Sequence, residues 1–199
     1  MLEYAIDGVD GSAKTPIITG VKERLEARRI KVDVHSPFLE ANQLIPEKEI
    51  YGYWESRAPE AVKILHEIIE KARRNSEADV LLFDRHWMTI MGELKYRSHQ
   101  PYLWRDFIPT FYIDAPVSKT IDCSRYSPEV PWTSSAAKIE EYRTRYRELS
   151  DEYRHFIRAK YLVTSRDMPL ESIIHAMSCT ISDDLHSARE RRPWILVRR

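Results

Sequence analysis

A lysine and a threonine, Lys14-Thr15, end a short loop that opens on Gly8, contains Gly11 and follows the apolar run from Leu2 to Ile6. Residues of these types in this order can bind phosphate. A loop without bulky side chains turns backbone N–H groups toward phosphate oxygens, and a helix beginning at its end adds partial positive charge. In the pattern G-x-x-x-x-G-K-[ST] the lysine reaches the β- and γ-phosphates and the hydroxyl meets Mg²⁺. Gly8-Val9-Asp10-Gly11-Ser12-Ala13-Lys14-Thr15 keeps the pattern with one departure, Ala13 in place of the last glycine. A methyl group there crowds the β-phosphate if the backbone needs glycine's freedom, and is harmless if φ stays negative. Pro16 suits a first helical turn, where its missing N–H would have no partner anyway. The bland alternative is a surface turn with a lone lysine; the strand–loop–helix order speaks against it.

The elements that position such a loop alternate along the chain, which predicts an α/β fold with a parallel sheet. Leu2 to Ile6 reads as the first strand, and Ile17, Val21 and Leu25 give the following helix one apolar face. Ile30 to Val34 is a second strand, stopped by Ser36-Pro37, and Ala61, Leu65, Ile68 and Ala72 form the stripe of a helix that begins near Pro59. Asp79 to Phe83 is a continuous apolar run ending in Asp84-Arg85, as expected of a buried parallel strand whose C-terminal end opens into a site. A Trp- and Met-bearing helix follows over 86–100, then a fourth strand over Phe107 to Ile113 and a short helix over Val117 to Cys123. Residues 124–135 are polar and carry prolines, so they read as a mobile loop. A charged helix from Ala136 to Ala159, a last strand over Tyr161 to Val163, a closing helix over Leu170 to Ile181 and a basic tail over 187–199 complete the chain.

Composition narrows the function classes. The 199 residues are 43% hydrophobic, enough for a core, and 31 basic residues balance 31 acidic ones. A formal charge of zero argues against broad nucleic-acid binding but leaves room for a small anion in a locally basic cleft. Cys123 and Cys179 lack CxxC spacing and read as ordinary thiols of a reducing compartment, and no apolar run reaches membrane-spanning length, so a cytoplasmic location is expected. None of the seven histidines has H-E-x-x-H spacing; His35 and His86 alone follow predicted strands closely enough to touch a substrate.

Four short motifs together resemble the thymidylate kinase family of P-loop nucleoside and nucleotide kinases, over roughly residues 3–181. They are Ile6-Asp7-Gly8 through Thr15, Tyr53-Trp-Glu-Ser-Arg57-Ala58, Asp84-Arg85-His86, and Ile113-Asp114 followed by Arg125; Tyr142-Arg143-Thr-Arg145-Tyr146 echoes a later element. The resemblance implies a doubly wound, five-stranded parallel sheet flanked by helices, with a lid at 124–135 on a kinase domain spanning 1–186. It implies ATP and Mg²⁺, held by Asp10, Gly11, Ser12, Ala13, Lys14 and Thr15, with Thr15 and Asp84 toward the metal. Asp10 would accept a hydrogen bond from the acceptor's sugar hydroxyl, Tyr53 would stack on its base and Arg57 would donate to a base carbonyl. Arg85 would clamp phosphate, and Arg125, with Arg143 or Arg145 in support, would stabilise the transferring phosphoryl group. For Tyr53 and Trp54 core packing is an equal reading, for Asp84-Arg85 a plain salt bridge is the alternative, and for Arg143 and Arg145 a solvated face.

The expected activity is therefore phosphoryl transfer from ATP to a nucleotide or nucleoside, foremost a pyrimidine deoxynucleoside monophosphate. His35-Ser36-Pro37 stands where the family carries an Arg-Glu-Pro-like turn, so an acceptor-phosphate arginine is missing there. Two alternatives follow: a non-catalytic nucleotide-binding member of the fold, and a P-loop kinase for a nucleoside or another small molecule. The family's dimers make the helix over 86–100 a candidate homodimer face, though burial inside the monomer explains its residues as well.

Overall fold

The computed structural model describes residues 1–44, 54–98, 100–118, 136–163 and 169–190. Tyr53, Cys123, Arg125, the lid at 124–135 and the tail beyond residue 190 lie outside the described residues. The elements are β1 (Leu2–Gly8), α1 (Lys14–Glu26), β2 (Val32–His35), α2 (Pro37–Leu44), α3 (Ala58–Asn75), β3 (Val80–Asp84), α4 (Trp87–Glu93), β4 (Thr110–Asp114), α5 (Ala136–Glu152), β5 (Ile157–Leu162) and α6 (Leu170–Glu190). The strands form one sheet in the order β2-β3-β1-β4-β5, and every pairing is parallel. β1 thus lies between β3 and β4, and its C-terminal end sits where open α/β sheets bind ligands.

Side chains alternate across the sheet and build a core on each face. Ala5, Leu81, Phe83 and Tyr112 pack under α2, α3, α4 and α5, while Tyr4, Ile6, Val80, Leu82, Phe111 and Ile113 pack under α1 and α6. On α1 the residues Ile17, Val21 and Leu25 are completely buried, each contributing about 1.5–3 kcal/mol. Gly20 lets α6 close in, since a Cβ there would lie 2.6 Å from Ile174 Cδ1.

Several sequence expectations are corrected. The charged helix stops at Glu152 instead of Ala159; a 3₁₀ turn over Arg154–Phe156 leads into β5, which takes 157–162. β5 is an edge strand paired only with β4, and its Arg158 and Lys160 face outward, so its charges suit a strand as well as a helix. The fourth strand begins at Thr110, not Phe107, and α6 runs through Glu190, so residues 187–190 belong to it. Trp87, Met88, Ile90 and Met91 are buried in the monomer core, which accounts for the apolar residues of the proposed dimer face. Trp54 is fully buried too, as the packing alternative expected. Cys179 is free and half-buried on α6. Among the described residues no helix is long and apolar enough to cross a membrane.

Candidate phosphate and acceptor site

The loop leaves β1 at Gly8 under tight constraint. A Cβ on Gly8 would lie 2.5 Å from the Ile113 carbonyl oxygen, so only glycine fits. The chain then turns through Gly11 at φ 72° and Ala13 at φ 64°, ψ 26°, and α1 begins. The last loop position does demand a left-handed backbone, the condition under which glycine would be preferred to alanine. No side chain caps α1, which leaves the N–H groups of its first turn available to an anion. Lys14 arches back over the loop and donates to the carbonyl oxygens of Gly8 at 2.9 Å and Val9 at 2.8 Å. Its burial, with the Arg85 charge nearby, pushes the ammonium down to about 8. Ser12 is buried beneath the loop.

Arg85 faces this loop from the end of β3, itself at φ 71°. Its guanidinium pairs with Asp10 and donates to the Gly8 carbonyl at 3.3 Å and to the Tyr146 hydroxyl at 3.2 Å. Burial alone would raise the Asp10 carboxyl, but the Arg85 and Lys14 charges outweigh it and hold it below the ordinary carboxylate range. Behind Arg85 runs a buried relay. Tyr146 and Thr89 share a 2.5 Å hydrogen bond, and Thr89 donates to Asp7 at 2.7 Å. Asp7 also accepts the His86 N–H at 3.1 Å, and burial raises its carboxyl despite these bonds.

Together these residues border a cleft of about 310 Å³ lined by Asp10, Gly11, Ala13, Lys14, Thr15, Pro16, Asp84 and Arg85. A second, smaller pocket lies between α4 and α5 and shares Asp10 and Arg85 with the first; Thr89, Glu93, Tyr142, Arg145 and Tyr146 are among its walls. The arrangement suits two groups meeting at Asp10 and Arg85, one of them anionic.

Most of the predicted site residues are brought together here. Arg57 is not; it lies exposed where α3 begins and borders neither cavity. Arg143 is held by Asp114 at 2.6 Å, with Arg147 on the same carboxylate at 3.0 Å, and neither lines the phosphate cleft. His86 is wholly buried against Phe83 and Trp104, and burial lowers it to about 3, so it does not reach a substrate. His35 bonds Glu40 at 3.2 Å. Asp7, Thr89, Glu93 and Tyr146 were missed as site residues; the signal for Asp7 was a carboxylate at the end of a buried strand, which needs a buried partner.

The donor set fits Mg²⁺. Asp84 Oδ1 is buried without a hydrogen-bond partner and borders the same cleft as Thr15. Magnesium at phosphate sites takes one or two protein oxygens and completes its shell with water and phosphate.

The five-stranded parallel sheet flanked by helices is a fold that P-loop nucleoside kinases share. Among solved structures the chain is similar to a deoxyadenosine kinase from M. mycoides with the products dCMP and a flexible dCDP bound, with a TM-score of 0.57 and 13% identity, covering 92% of this chain and 100% of that one. At that identity the likeness establishes the fold, and it does not separate thymidylate kinases from their relatives. No protein-family model and no curated protein matches the chain.

Proposed function

We propose that this protein transfers the γ-phosphoryl group of ATP to a nucleotide or nucleoside, foremost a pyrimidine deoxynucleoside monophosphate. One observation carries the reading: Lys14, the uncapped start of α1 and Arg85 converge on a single cleft that meets a second pocket at Asp10 and Arg85. The fold-level neighbour, whose bound products are nucleotides, supports it as analogy.

Lys14 would leave the loop carbonyls for the β- and γ-phosphates, while the first N–H groups of α1 hold the remaining oxygens. Arg85 would fork onto the phosphoryl group in transit, or onto the acceptor phosphate, and Asp10 would take the sugar hydroxyl. Thr15 and Asp84 would hold Mg²⁺, which when bound neutralises charge on the phosphates. Asp10, held ionised by Arg85, is a weak base. The acceptor it serves best is one whose attacking oxygen is already ionised, which favours a phosphate monoester over a free hydroxyl. Arg125 and Tyr53 keep the roles the resemblance implies for them.

Thermal melting with and without Mg·ATP tests the cleft. A ligand at a hundredfold its Kd adds about 2.7 kcal/mol, so melting must rise clearly in the wild type and stay put in Lys14→Ala. A wild-type protein indifferent to Mg·ATP, or an equal rise in both, would remove the basis of the assignment.

A further inference from the structure

Arg85 borders both the phosphate cleft and the smaller pocket, and an arginine side chain is long and turns easily. Its backbone sits at φ 71°, a conformation that an L residue keeps only where its surroundings enforce it. The guanidinium needs holding as well. Asp10 pairs with Nη2, but the proposed reaction turns Asp10 toward the acceptor's sugar hydroxyl, so this restraint is lost when it is needed. Nη1 has other holders, the Gly8 carbonyl at 3.3 Å and the Tyr146 hydroxyl at 3.2 Å.

Tyr146 belongs to a hydrogen-bond chain whose direction is fixed. A hydroxyl carries one proton. Thr89 gives its proton to Asp7 Oδ1 at 2.7 Å, so toward Tyr146 its oxygen can only accept. Tyr146 therefore donates across the 2.5 Å bond to Thr89, and its own oxygen accepts from Arg85 Nη1. Every proton points from the guanidinium toward the carboxylate, an alignment in which each bond strengthens the next. The chain is shielded from water: Asp7, Thr89 and Tyr146 are 0%, 5% and 3% exposed. The fold fixes its members too. Asp7 accepts the His86 N–H at 3.1 Å, which ties β1 to the start of α4. The Tyr146 ring stacks on Tyr112 at 6.0 Å, and Arg143 and Arg147 anchor α5 to Asp114 at the end of β4.

We propose that Tyr146, Thr89 and Asp7 are positioning residues for Arg85: they keep Nη1 tethered to a buried carboxylate while Nη2 exchanges Asp10 for a phosphate oxygen. The inference rests on the phosphotransfer reading of the cleft. Loose placement of a group that stabilises the transferring phosphoryl slows the chemical step more than it weakens substrate binding. A chain is also cut only once, so breaking two links should cost no more than breaking one.

Steady-state ADP release from Mg·ATP tests this, with whichever of thymidine monophosphate, dCMP, thymidine and deoxycytidine the wild type turns over fastest. Tyr146→Phe keeps the stacked ring and removes only the hydroxyl. Its kcat should fall about 10- to 100-fold, with KM for both substrates within about threefold of wild type. Thr89→Val should match it, the double variant should be no slower than the worse single one, and Thr89→Ser should recover most of what Thr89→Val loses. A retained Mg·ATP melting shift shows that a variant is folded; should one of Tyr146→Phe and Thr89→Val not fold, the other decides. Wild-type kcat in a folded Tyr146→Phe protein, or losses that multiply in the double variant, would overturn the inference and leave the phosphotransfer reading intact. So would a raised acceptor KM confined to Tyr146→Phe, which marks a direct contact with the acceptor instead. A wild type that turns over none of the four acceptors would bring down the phosphotransfer reading and this inference with it.

Discussion

Replacing Ala13 by glycine should stabilise the protein, against the usual sign of an alanine-to-glycine change. Ala13 sits at φ 64°, ψ 26°, where an L side chain costs about 1–2 kcal/mol that glycine avoids. Glycine returns part of this, about 0.4–1 kcal/mol, through the greater freedom of the unfolded chain. The net gain is about 1 kcal/mol, or a melting rise of about 2–4 °C for a chain of this size. Ala27 supplies the control, because it ends α1 at φ −60°, ψ −22°, in ordinary helical backbone, and is exposed. Ala27→Gly should lose about 0.5–1 kcal/mol. Urea and thermal unfolding of both variants beside the wild type would read the pair. Opposite signs support a strained loop that keeps the shape of a phosphate site; a loss in Ala13→Gly equal to that in Ala27→Gly would refute the reasoning.

Three further outcomes follow from the same geometry. Lys14 titrates near 8 in the free protein against an ordinary 10.5, and a phosphate beside it would restore the charged form. Nucleotide binding should therefore take up a proton between those values and weaken as pH rises through them; calorimetry at pH 9 in buffers of different ionisation enthalpy would show it, and binding without proton uptake would contradict it. The stability of the free protein moves the other way: the unfolded chain holds the extra proton in that window, so this group's destabilising contribution is fully present below pH 8 and fades as pH rises. Thr89→Val removes the hydrogen bond between the relay and Asp7, leaving a buried carboxyl short of a partner. The loss should be about 1–3 kcal/mol in urea unfolding, and an unchanged midpoint would mean that the relay does not support the fold.

What could be read from the sequence was what is local. The strand, loop and helix around Lys14 announce themselves through apolar runs, glycines and a Lys-Thr pair within a short span, and Asp84-Arg85 stands out because charge follows an unbroken apolar run. The sign of φ at Ala13 was not readable, because it depends on how β1 and α1 are held together by the rest of the fold. The end of α5 was misplaced because Arg158 and Lys160 look the same on a solvated helix face as on the open side of an edge strand; only pairing with β4 separates the two. Glu93 went unnoticed, and Tyr146 stood in a quoted motif without a role, for a further reason. They lie more than fifty residues apart in sequence, on two different helices, and nothing in either segment alone says that they face one pocket. Arg57 shows the converse, since a motif match named it and its described position lies away from both cavities.

The most direct measurement is ADP release from Mg·ATP across a panel of nucleosides and nucleoside monophosphates, with Lys14→Ala as the blank. Turnover that depends on the acceptor, is highest with a pyrimidine deoxynucleoside monophosphate and vanishes in a folded Lys14→Ala protein is the predicted result. Full turnover in Lys14→Ala, or silence across the whole panel from a wild-type protein that binds Mg·ATP, would contradict the account.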